Sequence, residues 1–157
     1  DLDTVYRRSD VISLHCPLTK DTYHMIDARA IKKMRDGVMI INTGRGKLID
    51  TRALINALKK GKVGAAGLDV YEEESEYFFE DFSTKVVSDD VLARLLTFPN
   101  VLVTAHQGFF TREALTNIAQ TTLKNIDDYF TGRPLANEIC YRCCDKGCRK
   151  KTQGKCF

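Results

Sequence analysis

The run Val38-Met39-Ile40-Ile41-Asn42 limits most sharply what this chain can fold into. It is rich in branched side chains, too short for a helix and bounded by turn residues, which predicts a parallel strand buried on both faces. Such a strand needs helices packed beside it. The preceding residues offer one, with Asp27 as N-cap, Ala30, Ile31 and Met34 on the buried stripe and Gly37 as the stop. Before that, Val11-Ile12-Ser13-Leu14-His15 reads as another buried strand, so residues 11–42 form a strand–helix–strand unit.

The pattern then repeats. Asp50 precedes Ala53, Leu54, Ala57 and Leu58 at helical spacing, Gly61 ends that helix, and Val63 to Val70 forms a strand whose Gly64 to Gly67 segment lets neighbours approach closely. A short helix around Val91, Leu92, Leu95 and Leu96 is broken by Pro99, and Val101-Leu102-Val103-Thr104 gives a fourth strand. Alternation of this kind implies an α/β fold with a doubly wound parallel sheet. Thr111 caps a long final helix carrying Ala114, Leu115, Ile118, Ala119, Thr122, Leu123, Ile126 and Phe130 on one stripe, ending at Gly132-Arg133-Pro134. Between Tyr71 and Asp90 lies an insertion with Phe78-Phe79-Glu80-Asp81, long for such a connection and therefore read as functional or partner-facing.

Composition narrows the class. With 43% apolar and 29% charged residues the chain has material for a core. No apolar run nears the roughly 18 residues of a membrane span, and the charged start, Asp1 to Asp10, lacks a signal-peptide stretch. The first residue is not Met and a strand follows closely, so the chain is expected to continue something upstream. The net charge of +3 is not spread evenly: residues 141–157 hold six Lys/Arg against one acid, leaving +3 − 5 = −2 for residues 1–140. A weakly acidic body makes no basic stripe for phosphate backbones, which argues against nucleic acid as a partner. Cysteines are as uneven. Cys16 is alone in the body, as in a reduced, cytoplasmic protein, while Cys140, Cys143, Cys144, Cys148 and Cys156 crowd the end. Residues 1–139 are thus read as the folded body and 140–157 as a basic, Cys-rich tail expected to be disordered. Its Cys140-x-x-Cys143 is half a zinc site without a second half, so no metal is assigned.

In an open parallel sheet ligands sit beyond the carboxyl ends of the strands, where the connecting loops gather. The strands here exit into His15-Cys16-Pro17, into Asn42-Thr43-Gly44-Arg45-Gly46, into Asp69 and then Glu72-Glu73-Glu74, and into Thr104-Ala105-His106-Gln107. A guanidinium, a carboxylate and an imidazole thereby reach one edge. Reducing a 2-keto acid needs such a trio: a cation for the substrate carboxylate, an acid to protonate the carbonyl oxygen, and a group that keeps this acid protonated. Arg45 fits the first role through its bidentate fork. His106 fits the second, and Glu74 beside the ring favours its protonated form. Each also has an ordinary reading: Arg45 a turn cation, Glu74 one of three acids on a solvated face, His106 a structural histidine. Joint arrival on one edge favours the functional one. His15 and His24, with no metal-ligand company, are read as structural or backbone-contact positions. Neither Gly44-x-Gly46 nor the Gly61, Gly64, Gly67 series makes the Gly-x-Gly-x-x-Gly element that cradles a dinucleotide.

Four ordered blocks carry a resemblance: Ser9-Asp10-Val11-Ile12-Ser13-Leu14-His15-Cys16-Pro17-Leu18-Thr19, Met39-Ile40-Ile41-Asn42-Thr43-Gly44-Arg45-Gly46, Gly67-Leu68-Asp69-Val70-Tyr71-Glu72-Glu73-Glu74 and Asn100-Val101-Leu102-Val103-Thr104-Ala105-His106-Gln107. Over residues 9 to about 139 the chain resembles the D-2-hydroxyacid dehydrogenase family, nearest its fermentative D-lactate branch. The resemblance implies the C-terminal half of a Rossmann-like NAD-binding domain followed by a returning helix. It implies Arg45 as carboxylate binder, Glu74 as partner of the catalytic histidine, and His106 as acid/base. The cofactor is then NAD, lined by His15, Cys16, Pro17, Thr43, Arg45, Asp69 and His106, with Asp69 contacting the nicotinamide carboxamide or tuning the site. Pyruvate and D-lactate follow as substrates, and a homodimer as the assembly. Two departures stand out. The tail after Ile139 resembles nothing in the family, and the family's glycine-rich loop, ribose-binding acid and substrate lobe would precede Asp1, so the 157 residues alone are expected to be inactive. Ala105, where many other branches carry Pro, goes with the likeness to the D-lactate branch. A non-catalytic NAD-sensing scaffold of the same family is the competing reading, and a truncated product with an uncovered sheet edge a third.

Overall fold

The computed structural model describes residues 1–74 and 89–139. The Phe78-Phe79-Glu80-Asp81 insertion and the cysteine-rich tail lie outside the described residues. The described chain runs α1 (Leu2–Arg8), β1 (Val11–Leu14), α2 (Ala28–Lys33), β2 (Val38–Asn42), a 3-10 turn (Gly46–Leu48), α3 (Thr51–Lys59), β3 (Val63–Leu68), α4 (Asp90–Leu96), β4 (Val101–Val103) and α5 (Arg112–Phe130).

The strands form one parallel sheet in the order β1-β2-β3-β4, with Ile12 opposite Ile40, Ile40 opposite Ala66 and Gly67 opposite Leu102. Each helix start follows a side-chain cap written in the sequence: Asp27 accepts from Ala30 N–H at 2.7 Å, Asp50 from Ala53 N–H at 3.0 Å, and Asp89 from Val91 and Leu92 N–H at 2.8 and 3.1 Å. Gly37 and Gly61 take φ of +78° and +68° after α2 and α3, as the stop positions require. The short α1, capped by Asp1, is an element the sequence reading did not anticipate; Tyr6 alone in it is buried, which leaves no stripe to detect.

Strands added in one direction, with the right-handed crossovers that parallel strands favour, set the described connecting helices α2, α3 and α4 on one face of the sheet. Ile12, Leu14, Val38, Ile40, Val63, Ala66 and Leu68 fill that face and make the core with Ile26, Leu48, Leu54 and Leu95. This corrects the expectation that β2 is buried on both sides. On its other face Met39 is 39% exposed, beside Val11 at 55% and Leu102 at 65%.

The chain divides into two compact units, Asp1–Gly108, holding the sheet, and Phe109–Phe157. In the second, Thr111 Oγ1 caps α5 by accepting from Ala114 N–H at 3.2 Å, and Gly132 at φ +68° turns the chain after it. Arg133 Nε and Lys124 Nζ stand 3.0 and 2.8 Å from the Asp128 carboxylate and tie that turn to the last helical turns.

Candidate active site

Because all the strands are parallel, their carboxyl ends share one edge, and the loops there are built from short-range bonding. Asn42, 1% exposed, organises the β2 exit: its Oδ1 accepts from Gly44 N–H at 3.1 Å and its Nδ2 donates to Arg45 O at 2.9 Å. This winds residues 42–45 into a tight loop that presents Arg45 to solvent, with Nη1 donating to Gly44 O at 2.8 Å. Close approach requires the second of the loop's glycines, since a Cβ on Gly46 would stand 2.0 Å from Tyr71 O, whereas one on Gly44 would meet the carbonyl oxygens of Leu14 and Cys16 at 3.5 Å, an ordinary contact distance. The Arg45 loop is therefore wedged between the β1 exit and the β3 exit.

His106 sits on the β4 exit in an uncommon backbone. Ala105 and His106 adopt φ of +52° and +57°, the left-handed region that costs a non-glycine residue about 1–2 kcal/mol. Asp69 clamps this turn: its carbonyl accepts from His106 N–H at 2.7 Å, and its Oδ1 accepts from Thr104 Oγ1 at 2.5 Å and Gln107 N–H at 2.8 Å. Burial alone would push the Asp69 carboxyl up, but hydrogen bonds from Thr104, Gln107 and Gly108, with the nearby His106, hold it below the usual carboxylate value. The left-handed turn also explains the alanine before the histidine, since a proline ring fixes φ near −65° and could not adopt this conformation.

The turn after β3 delivers the carboxylate. Glu74 Oε1 lies 3.0 Å from His106 Nε2, and its Oε2 accepts from Tyr71 N–H at 3.0 Å, so one oxygen faces the ring while the other is held by the chain. Tyr71 is buried and donates its hydroxyl to Asp89 Oδ2 at 2.5 Å. Burial first, then that carboxylate, push the phenol far above its ordinary value and keep it a donor.

Of the residues singled out in the sequence, Glu74 and His106 are in direct contact, Asp69 holds the turn that carries His106, and Arg45 shares their edge. His15 is exposed, its Nε2 2.7 Å from Ser13 Oγ; Cys16 Sγ lies 3.4 Å from Met25 Sδ; Pro17 O accepts from Thr22 Oγ1 at 2.7 Å; Thr43 is exposed. These line the neighbouring β1 and β2 exits. Sequence reasoning missed the pairing of His24 Nε2 with Glu72 Oε2 at 2.8 Å, for a partner 48 residues away leaves no local signal. Thr104 carries a weak one, as the last polar residue before a strand-end histidine.

The donor set suits the reactive end of a nicotinamide cofactor: a guanidinium, and an imidazole braced by a carboxylate. It does not suit the pyrophosphate. The starts of α2, α3 and α4 are occupied by Asp27, Asp50 and Asp89, and Thr51 N–H at the head of α3 is taken by Glu72 Oε1 at 2.7 Å. Acids in those places repel phosphate. Among the described residues no group of three His, Cys, Asp or Glu side chains is placed to hold a metal ion, and no helix is long and apolar enough to cross a membrane.

Comparison with known proteins bears on the same residues. Residues 1–108 match the family described as D-isomer specific 2-hydroxyacid dehydrogenase, NAD binding domain. The chain is 53% identical over 139 residues to D-lactate dehydrogenase of Escherichia coli, covering 88% of this chain and 42% of that one. It is 51% identical over 128 residues to an aromatic 2-oxoacid reductase of Clostridium sporogenes, covering 82% of this chain and 39% of that enzyme. The crystal structure of D-lactate dehydrogenase with NAD+ from Lactobacillus jensenii superposes with a TM-score of 0.76 at 37% identity, covering 89% of this chain and 42% of that one. The chain thus spans about two fifths of the length of these relatives. A sheet edge carrying Arg45, Glu74 and His106, within a segment that matches so specifically, establishes that this chain belongs to the D-isomer specific 2-hydroxyacid dehydrogenases, through their NAD binding domain.

Proposed function

We propose that the polypeptide carrying this sequence reduces a small 2-keto acid, pyruvate foremost, to the D-2-hydroxy acid with NADH. The observation that carries the reading is the contact of Glu74 Oε1 with His106 Nε2 at 3.0 Å on the edge that also bears Arg45. NADH, when bound, supplies the hydride. Arg45 grips the substrate carboxylate through two guanidinium N–H groups and so fixes which face of the carbonyl is presented. His106 donates a proton from its ring to the carbonyl oxygen as that oxygen gains negative charge, and in the reverse direction withdraws it from the hydroxyl. Glu74 stabilises the charged ring before transfer and orients it, since Tyr71 N–H fixes its other oxygen. Of the lining residues, Asp69 keeps the His106 turn in register, while His15, Cys16, Pro17 and Thr43 offer the cofactor the β1 and β2 exits.

The test is NADH oxidation with pyruvate and with an aromatic 2-keto acid, followed in the polypeptide that carries this chain. His106→Ala is expected to lower kcat by about 10² to 10⁴. Arg45→Ala is expected to raise KM for the keto acid about tenfold or more, as loss of a charge-assisted pair costs roughly 1.5–3 kcal/mol. Undiminished turnover in both variants would remove these roles. A scaffold that only senses NAD has no use for a carboxylate-braced imidazole, and the intact pair therefore favours the enzyme. The assembly we propose is a homodimer, checked by light scattering on the eluted protein; the free thiol of Cys16 fits a reducing cytoplasm, checked by the location of a fluorescent fusion.

A further inference from the structure

We infer that Glu72, bridged to His24, is a positioning residue that holds Glu74 against His106 and couples this pair to the Arg45 loop. Glu72 and Glu74 lie in one turn; Glu72 hydrogen-bonds through both carboxylate oxygens, and Glu74 hydrogen-bonds through one and sets the other at ion-pair distance from His106. Glu74 uses Oε1 on His106 and Oε2 on Tyr71 N–H, at 3.0 Å each. Glu72 uses Oε1 on Thr51 N–H at 2.7 Å and Oε2 on His24 Nε2 at 2.8 Å. The turn that aims Glu74 is thus pinned from outside, to the head of α3 and to the segment after β1.

His24 carries the coupling further. Its backbone stands at φ +49°, its ring stacks on Tyr23 with centroids 4.0 Å apart, and its N–H donates to Lys47 O at 2.9 Å. Lys47 lies two residues beyond Arg45, in the 3-10 turn that closes the Arg45 loop. One residue therefore grips the loop bearing the guanidinium by its main chain and the turn bearing the carboxylate by its ring. A merely structural brace would contribute stability alone. Here Glu72 stands two residues from Glu74 with only Glu73 between, so releasing it frees the group whose aim matters. A displacement near 1 Å at such a group costs on the order of 10² in rate.

The inference rests on the proposed acid–base role of His106, and its test reads the pair without relying on turnover. In cofactor-free polypeptide labelled with ¹⁵N-histidine, the ring signals of His106 are compared among the wild type, Glu74→Gln, Glu72→Ala and Glu72→Gln. Glu72→Ala is expected to move the His106 ring nitrogens to where Glu74→Gln puts them. Glu72→Gln, which keeps an acceptor for Thr51 N–H and a polar partner for His24, is expected to leave them near the wild-type position. Turnover with the keto acid is expected to fall by about tenfold or more in Glu72→Ala and to be largely restored in Glu72→Gln. His106 signals unmoved in Glu72→Ala would overturn the inference. Should that variant not fold, His24→Asn gives the same reading, since asparagine tolerates the left-handed backbone but is too short to reach Glu72. Unaltered turnover in His106→Ala would instead overturn the proposed reaction and leave the bridge to be judged by its spectrum.

Discussion

Ala105 shows at the scale of one residue how the backbone decides which side chain a position accepts. At φ +52° alanine is tolerated at a cost and proline is excluded. Ala105→Pro is accordingly expected to destabilise the sheet unit by about 3 kcal/mol or more and to abolish turnover, whereas Ala105→Gly leaves the fold at least as stable; urea unfolding midpoints compare the two. Gly46 is a second such position, because a Cβ there would meet Tyr71 O at 2.0 Å. Gly46→Ala must push the Arg45 loop from the Glu74 turn, at a cost of about 1–3 kcal/mol. The same variant is expected to raise KM for the keto acid, which steady-state kinetics would show. The placement of Arg45, Glu74 and His106 on one sheet edge was legible in the sequence because each lies in the segment that leaves the carboxyl end of a strand. His24 was not, since its partner Glu72 is brought to it only by the packing of α3 beside the sheet.

The elements themselves were legible wherever their signal is local. Asp27, Asp50 and Thr111 announce helices by side-chain caps, and Gly37 and Gly61 end them. Asp50→Ala is expected to cost about 0.5–2 kcal/mol by uncapping α3, read as a lower thermal midpoint. Strand ends were less legible, because pairing and not composition sets them. β3 stops at Leu68, where its register with β4 ends opposite Val103, although apolar Val70 continues the sequence pattern. The one-sided burial of β2 was hidden for a similar reason: Met39 and Ile40 look alike in a sequence, and the direction in which strands are added decides which of them meets the helices.

For the whole molecule, each compact unit contains a carboxylate held below its ordinary value, Asp69 in the first and Asp128 in the second. In Asp128 the hydrogen bond from Lys124 acts first, against burial, with Lys124 and Arg133 adding their charge. A carboxyl whose folded value is lowered contributes its full stability above the unfolded value, about 3.8, and loses it as pH falls from there through the folded value. Unfolding midpoints are therefore expected to decline as pH drops below about 3.8, and Asp69→Asn to flatten that decline.

In the proposed reaction Glu74 and His106, 3.0 Å apart, act as one device. Pre-steady-state NADH oxidation by pyruvate in Glu74→Gln, His106→Gln and the double variant tests it most directly. Residues that work as a unit give losses that do not multiply, so the double variant is expected to be hardly slower than His106→Gln alone. A double variant slowed by the full product of the two single effects would contradict it.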